Sequence, residues 1–337
     1  MKIRKLSREE HVLTRPLYEE VFPDDSGSFV DYYYTEKIKD NKIYVIEEDG
    51  DIQAMLHLNP YEMSVNGRRQ TAHYIVAVAT RAAYRRRGYM GLLLDSALKA
   101  MYEAGETFTF LMPAAEAIYL PYDFRTVYEQ KRSFCACADG QRPDEACADT
   151  DIRELSYGEC QELAEAANRY LESRYDVFAV RSAAYYERLK KEYGADGGKL
   201  MLYRRDGVIT DCRPYVPEVE TGRPLIMVRP VDARRLLMSL SLRSLTAVCF
   251  CITDPVIEDN CRCVVLTGTE HSGVMLMEGK EENSEGTIPI SVLGELIFGA
   301  CTAEDACRRE GAHMSERMKE ELDKVIPLSE IYINEVV

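Results

Sequence analysis

The chain has 337 residues, 46% hydrophobic and 29% charged, the proportions of folded soluble domains, and it is long enough for two or three of them. No run approaches the roughly 20 apolar residues of a membrane span, and the opening MKIRKLSREEH lacks the apolar centre of a signal peptide, so a cytoplasmic location is expected. A net charge of −15 argues against nucleic acid as a partner and suits a cationic small molecule, or solubility alone.

The first elements read strand, helix, helix, hairpin, hairpin. KIRKL is a short strand, and Ser7 with Glu9 and Glu10 opens a helix. A second helix covers about Phe29 to Ile38. Two hairpins come next, turning at Asp49-Gly50 and at Asn66-Gly67. Residues Tyr74 to Thr80 form a β-branched, apolar run, a buried strand. Met90, Leu93, Leu94, Ala97, Leu98 and Met101 then repeat at i, i+3, i+4, i+7, i+8 and i+11, the apolar stripe of a helix that Gly105 stops.

The opening order recurs in cruder form from Leu155-Ser156. Two amphipathic helices are followed by a hairpin at Asp206-Gly207, which predicts a degenerate internal duplication. This second copy has no Arg-x-x-Gly turn. From about Arg223 the pattern becomes α+β: a strand and helix in PLIMVRPVDARRLLMSLSL, strands in LTAVCFCI, CRCVVLTG and SGVMLMEG, then helices near SVLGELIFG, AEDACRRE and HMSERMKEELDKV. The polar stretch from Ala138 to Asp151 is the nearest thing to a linker.

Eleven cysteines include the C-x-C pairs Cys135/Cys137, Cys249/Cys251 and Cys261/Cys263, with no C-x-x-C. In a strand such a pair lies on one face. Free thiols are expected, and no metal site, because metal ligands usually space as C-x₂₋₄-C with further ligands nearby. His57 and His73 lie on strands, where a satisfied core histidine is the ordinary reading.

The sharpest chemistry is VATRAAYRRRGYMG, residues 78 to 91. Arg85, Arg86, Arg87 and Gly88 sit between a buried strand and a helix N-terminus. The first amides of a helix have no intrahelical acceptor and carry partial positive charge. A glycine lets the backbone approach an anion, and arginine can close over it. The stretch therefore predicts a diphosphate cradle.

These residues resemble the acetyl-CoA motif of the GNAT N-acetyltransferases, Q/R-x-x-G-x-G/A, with Arg85 and Gly88 matching and Met90 standing at the final small position. The triple arginine and AIYLPYDFRTVYEQ are similar to the branch of the enhanced intracellular survival (Eis) acetyltransferases. The resemblance implies a GNAT fold in residues 1–138, a second degenerate GNAT-like domain in 151–222, and a sterol-carrier-like α+β domain in 223–337 whose tail returns to the first active site. It implies acetyl-CoA held by the main chain of Val78 and Thr80 and by Arg85, Arg86, Gly88, Tyr89 and Met90. Tyr119 is implied as general acid, and the carboxylate of Val337, on which the sequence ends, as base. Glu335 is an alternative carboxylate, as base or as a group holding a cationic amine, and Asp24 and Asp25 are weaker cation-binding candidates. The expected acceptor is an aminoglycoside, a polyamine-like amine or lysine, with a homo-oligomer, as large as a hexamer in this branch, as the assembled form. A non-catalytic acyl-CoA or lipid-binding protein is the competing expectation.

Overall fold

The computed structural model describes residues 1–130, 135–136, 150–216 and 224–335. The chain opens with β1 (Lys2–Lys5), a helical turn at Arg8–Thr14, α1 (Arg15–Val21) and α2 (Gly27–Thr35). α2 starts earlier than the sequence pattern suggests because Ser26 caps it, its hydroxyl accepting from the Phe29 amide at 3.0 Å. Then come β2 (Lys42–Glu48), β3 (Asp51–Val65), β4 (Arg68–Thr80), α3 (Tyr89–Glu103), β5 (Phe108–Leu111), α4 (Glu116–Tyr119) and β6 (Arg125–Glu129). Residues Cys135–Ala136 form β7.

The second unit is β8 (Thr150–Glu154), α5 (Cys160–Glu172), β9 (Val177–Ala179), α6 (Ala183–Ala195), β10 (Lys199–Arg205) and β11 (Val208–Tyr215). Its own sheet has the order β7-β11-β10-β8. Next are β12 (Leu225–Pro230), α7 (Ala233–Leu237), β13 (Ser241–Leu242), β14 (Thr246–Thr253), β15 (Cys263–Thr269), β16 (Gly273–Glu278) and β17 (Gly286–Pro289). The chain finishes with α8 (Ile290–Ile297), α9 (Ala303–Ala306), β18 (His313–Met314), α10 (Glu316–Leu322), β19 (Val325–Ile326) and β20 (Ile331–Tyr332). The tail sheet runs β16-β15-β14-β17-β18, antiparallel from β14 to β16, with β17 parallel to β14.

Three strands cross between the expected segments. β12, placed by sequence at the start of the α+β tail, inserts antiparallel between β5 and β6 of the first sheet. β9 of the second unit pairs with the far end of β3, and β20 pairs in parallel with β9. The first sheet therefore contains nine strands among the described residues, drawn from all three parts of the sequence. Its α3 face shares one apolar core with the tail, where Phe108 meets Phe298 edge-on at 5.3 Å. The opposite face, under α1 and α2, holds a separate core around Tyr18, Tyr33, Val45 and Met55.

The free-thiol expectation is corrected at one place. Cys251 lies directly opposite Cys263 on β14 and β15, and the two form a disulfide. The antiparallel register of β14 and β15 is what places these two opposite one another. Cys135 and Cys137 lie outside the described side chains. Among the described residues no cluster of three or more His, Cys, Asp or Glu side chains could hold a metal ion, and no helix is long and apolar enough to cross a membrane.

Candidate active site

The site begins where two strands part. β4 and β5 are parallel and pair at Tyr74↔Phe110, and the ladder goes no further among the described residues. On its other side β4 keeps pairing with β3 up to Ala54↔Thr80. A bulge interrupts that ladder between Met55 and His57, and Ala77 there takes a left-handed φ of 49°. A bulge re-aims the strand and raises its twist, which turns the last residues of β4 away from β5. Val78 and Thr80, both half-buried, thus border a cleft with main-chain groups open on the β5 side.

At the end of that cleft stands the arginine turn. Arg86 has φ 63° and Gly88 φ 80°, and Gly88 is the N-cap of α3, its carbonyl accepting from the Leu92 amide at 3.1 Å. The amides of Tyr89 and Met90 are in the first turn, where no intrahelical acceptor exists. Val78 and Thr80 thus stand at the end of β4, and Arg86, Gly88, Tyr89 and Met90 in the turn and helix start that follow it.

The three arginines do different things. Arg85 reaches back, its Nε donating to the Thr80 carbonyl at 3.1 Å. Arg87 lies over the Tyr84 ring at 4.6 Å and donates to the Ala83 carbonyl at 3.1 Å. Arg86 is exposed, with no polar partner for its side chain among the described residues. Sequence reading missed the layer beneath: Tyr89 donates to Glu48, and Tyr84 donates to Asp49 at 2.7 Å. The signal was available in part, since Glu48 and Asp49 precede the first hairpin's Gly50, but their pairing with residues some 40 positions away leaves no local pattern.

Tyr119 ends α4, buried, with its ring edge-on to Phe124 at 6.0 Å. Burial pushes its phenol up to about 12, so it stays protonated at neutral pH. Tyr74, at the last β4–β5 pair, is buried, and burial holds its phenol well above the ordinary value.

The tail returns to this sheet. Beyond β20, Ile333, Asn334 and Glu335 are buried. Asn334 accepts from the Tyr128 hydroxyl at 3.1 Å, and the Glu335 carbonyl accepts from Gln130 at 3.2 Å, so the tail lies against β6. The Glu335 carboxylate accepts from Arg181 and, at 3.2 Å, from the Tyr185 hydroxyl. Val337 lies outside the described residues. Asp25 accepts from Tyr18 at 2.7 Å, and Asp24 is exposed. Neither lines the cavity of about 200 Å³ in which Glu335 takes part, so the structure separates these candidates from Glu335. His57 is fully buried, and burial depresses its imidazole to about 3. His73 is paired with Glu106 at 2.7 Å.

Residues 2–127 match the acetyltransferase (GNAT) domain family. That stretch is a GNAT acetyltransferase domain. No curated protein matches the chain by sequence. Whole-chain structural likeness is extensive at low identity. A GCN5-related N-acetyltransferase from Anabaena variabilis is 14% identical, each chain covering 100% of the other, with a TM-score of 0.75. A conserved protein of unknown function from Enterococcus faecalis, described as a probable N-acyltransferase, is 14% identical over 98% of this chain and 99% of its own, with a TM-score of 0.74. Eis1 from Mycobacterium abscessus is 12% identical over 100% of both chains, with a TM-score of 0.71. The fold is therefore shared along the full length, through the acetyltransferase domain, the second unit and the tail.

Proposed function

We propose that the protein transfers an acetyl group from acetyl-CoA to a primary amine. The observation that carries this reading is the open edge of β4, running from its last pairing with β5 to a glycine-capped helix start. Such a cleft suits a ligand with a linear amide-bearing arm and an anionic end. Val78 and Thr80 would hold the pantetheine arm through their main chain. The amides of Arg86, Gly88, Tyr89 and Met90, with the free side chain of Arg86, would hold the diphosphate, while Arg85 steadies the turn through Thr80.

Acetyl-CoA supplies the thioester. The amine forms the new C–N bond as the C–S bond breaks. The ammonium loses one proton to become the attacking amine and a second as the amide forms. The sulfur gains one, with Tyr119 taking its own proton back from the nitrogen, and one proton is released overall. Tyr119 donates its proton toward the departing sulfur. A thiol is a stronger acid than this phenol, so Tyr119 acts by a strong hydrogen bond as the thiolate develops and is a modest acid. The amine, of ordinary pKa about 10, must lose its extra proton to attack, and a carboxylate of the tail is the base. Glu335 suits that role less than substrate binding because Arg181 already engages it. The acceptor class is a cationic small molecule or a lysine. In the same reading the tail is a sterol-carrier-like domain and the chain assembles as a homo-oligomer. Met275 and Met277, exposed on edge strand β16, support an apolar contact there.

Thiol release from acetyl-CoA against a panel of polyamines, aminoglycosides and lysine peptides tests the reading. Release with an amine establishes transfer. Binding of acetyl-CoA with no release across the panel would point instead to an acyl-CoA or lipid-binding protein.

A further inference from the structure

The segment that carries Tyr119 is too short to hold itself in place. α4 is a single turn of four residues, and one helical turn alone is unstable. The chain after it closes with long bonds. The Asp123 amide donates to the Leu120 carbonyl at 3.2 Å and the Phe124 amide to the Tyr119 carbonyl at 3.4 Å, while Asp123 takes a left-handed φ of 65°. A side chain on such a turn is fixed only by contacts from outside it.

Two such contacts meet at Tyr122, three residues beyond Tyr119. The Tyr122 ring lies against α3 at Gly91, in the space a side chain would need: a Cβ there would stand 3.2 Å from both the ring's Cε1 and its hydroxyl. Gly91 is in the first turn of α3, the helix whose start forms the anion cradle. The Tyr122 carbonyl accepts from Arg229 Nε at 3.0 Å. Arg229 comes from β12, the strand inserted between β5 and β6.

Arg229 is fully buried, and its outer nitrogens are aimed as well. Nη1 donates to the Pro230 carbonyl at 2.9 Å and Nη2 to Asp254 Oδ1 at 2.7 Å, with Asp123 Oδ2 3.8 Å from Nη2. Asp254 is itself held. Its Oδ1 accepts from the amides of Val256 at 2.9 Å and Ile257 at 3.0 Å, and its Oδ2 from Asn260 at 2.9 Å. A buried guanidinium needs a carboxylate to offset its desolvation, and Asp254 meets that need without Tyr122. The guanidinium is also planar, so fixing Nη2 on Asp254 fixes the direction of the Nε–H bond. That direction is toward the Tyr119 turn.

We propose, resting on the acetyltransferase reading with Tyr119 as its acid, that Arg229 is a positioning residue that sets the Tyr119 turn against the start of α3. The tail, through β12, then determines where the phenol stands relative to the cosubstrate.

The test is a double-mutant cycle read by thiol release from acetyl-CoA, with spermidine, kanamycin and a lysine peptide as acceptors. Arg229→Lys keeps the buried charge but loses the fork. A misplacement of about 1 Å can cost roughly a hundredfold, so kcat should fall about tenfold or more, with the KM for acetyl-CoA within about twofold of the parent. In Tyr119→Phe the same substitution should lower kcat less than about twofold, because the group it positions is gone. Equal losses in both backgrounds, an unchanged kcat in Arg229→Lys, or a Tyr119→Phe protein as fast as the parent overturns the proposal. Should Arg229→Lys not fold, Asp254→Asn, which keeps an acceptor oxygen and loosens the fork, is judged by the same cycle. If the parent releases no thiol with any of the three acceptors, the transferase reading fails, and native-state hydrogen exchange judges the anchor alone. Arg229→Lys or Asp254→Asn should then lower protection of the Asp123 and Phe124 amides about tenfold and leave Leu93–Met101 of α3 unchanged. Unchanged protection at the turn, or an equal loss in α3, overturns the anchor.

Discussion

Two hairpins of this molecule are built alike and end differently. β2–β3 turns at Asp49-Gly50 and β10–β11 at Asp206-Gly207, with φ of 58° and 83° in the first and 50° and 77° in the second. Each has a register shift three residues before its aspartate, after Ile46 and after Tyr203. Each is preceded by a buried leucine whose amide donates to the second residue of the hairpin, Leu6 to Ile43 at 2.9 Å and Leu155 to Leu200 at 2.8 Å. A Ser/Glu capping box comes after each leucine, Ser7 with Glu10 and Ser156 with Glu159. The divergence comes after the hairpin. β3 runs for 15 residues into a long ladder with β4, which leads to the arginine turn and α3. β11 stops at Tyr215 and takes as its outer neighbour β7, which lies earlier in the chain. The two copies share the hairpin, and among the described residues only the first continues into the strand–turn–helix on which the proposed cosubstrate site lies.

The strongest way to break that comparison is at the acid. Tyr119→Phe should lower kcat about a hundredfold or more with little change in the KM for acetyl-CoA. An unchanged kcat in steady-state thiol release would remove Tyr119 from the chemistry. The next effect separates the copies directly. Gly88→Val places a branched side chain at φ 80°, a strain of roughly 1–3 kcal/mol, which by itself corresponds to about tenfold in affinity, so the KM for acetyl-CoA should rise about tenfold or more. Gly207→Val, at φ 77° in the second hairpin, carries the same local strain and should leave that KM where it is. Equal effects from both would mean that the second copy also holds the cosubstrate.

Much of this contrast was legible in the sequence. The Leu-Ser starts, the Asp-Gly turns and the run from Val78 to Met90 are local patterns, and local patterns report local structure. The exchange of strands was not legible. Leu225–Pro230 reads as a buried strand from its apolar run, but nothing in that run says that it inserts between β5 and β6. The same limit hid the cavity. Glu335 and Arg181 are 154 positions apart, and a buried ion pair at that separation leaves no periodicity to read. The contacts of Asn334 with Tyr128 and of Glu335 with Gln130, which hold the tail at the edge of the first sheet, are likewise between residues more than 200 positions apart and leave no local pattern.

A smaller difference is one of pH. His57 on β3 is buried, its Nδ1 2.9 Å from the Tyr33 hydroxyl, and burial depresses its pKa to about 3. Residues 151–216 contain no histidine. Unfolded, the imidazole titrates near 6.5. Below that value the unfolded chain binds a proton that the folded one refuses, so the stability held above pH 6.5 is lost as pH falls toward 3, by about 1.4 kcal/mol per pH unit. The first urea transition should therefore move to lower denaturant between pH 7 and pH 5, and His57→Gln should flatten that dependence. A slope that survives the substitution would assign the sensitivity elsewhere, with the buried His11, which burial also depresses, as the next group to replace.

The smallest effect asks whether the shared scaffold is equivalent in energy as well as in shape. The Ser7 amide donates to Glu10 at 2.9 Å and the Ser156 amide donates to Glu159 at 3.2 Å. Removing a serine N-cap costs about 1 kcal/mol. Ser7→Ala and Ser156→Ala should each weaken their own helical start by that amount. A chain of several units need not unfold in one step, so the readout is native-state hydrogen exchange at the amides of Arg8–Thr14 and of Cys160–Glu172. Protection should fall about fivefold in the mutated copy and stay constant in the other. Loss in both copies from either substitution would show the two units opening together, coupled through the strands they exchange: β9 on β3, with Asn66 donating its amide to the Asp176 carbonyl at 2.7 Å beside it.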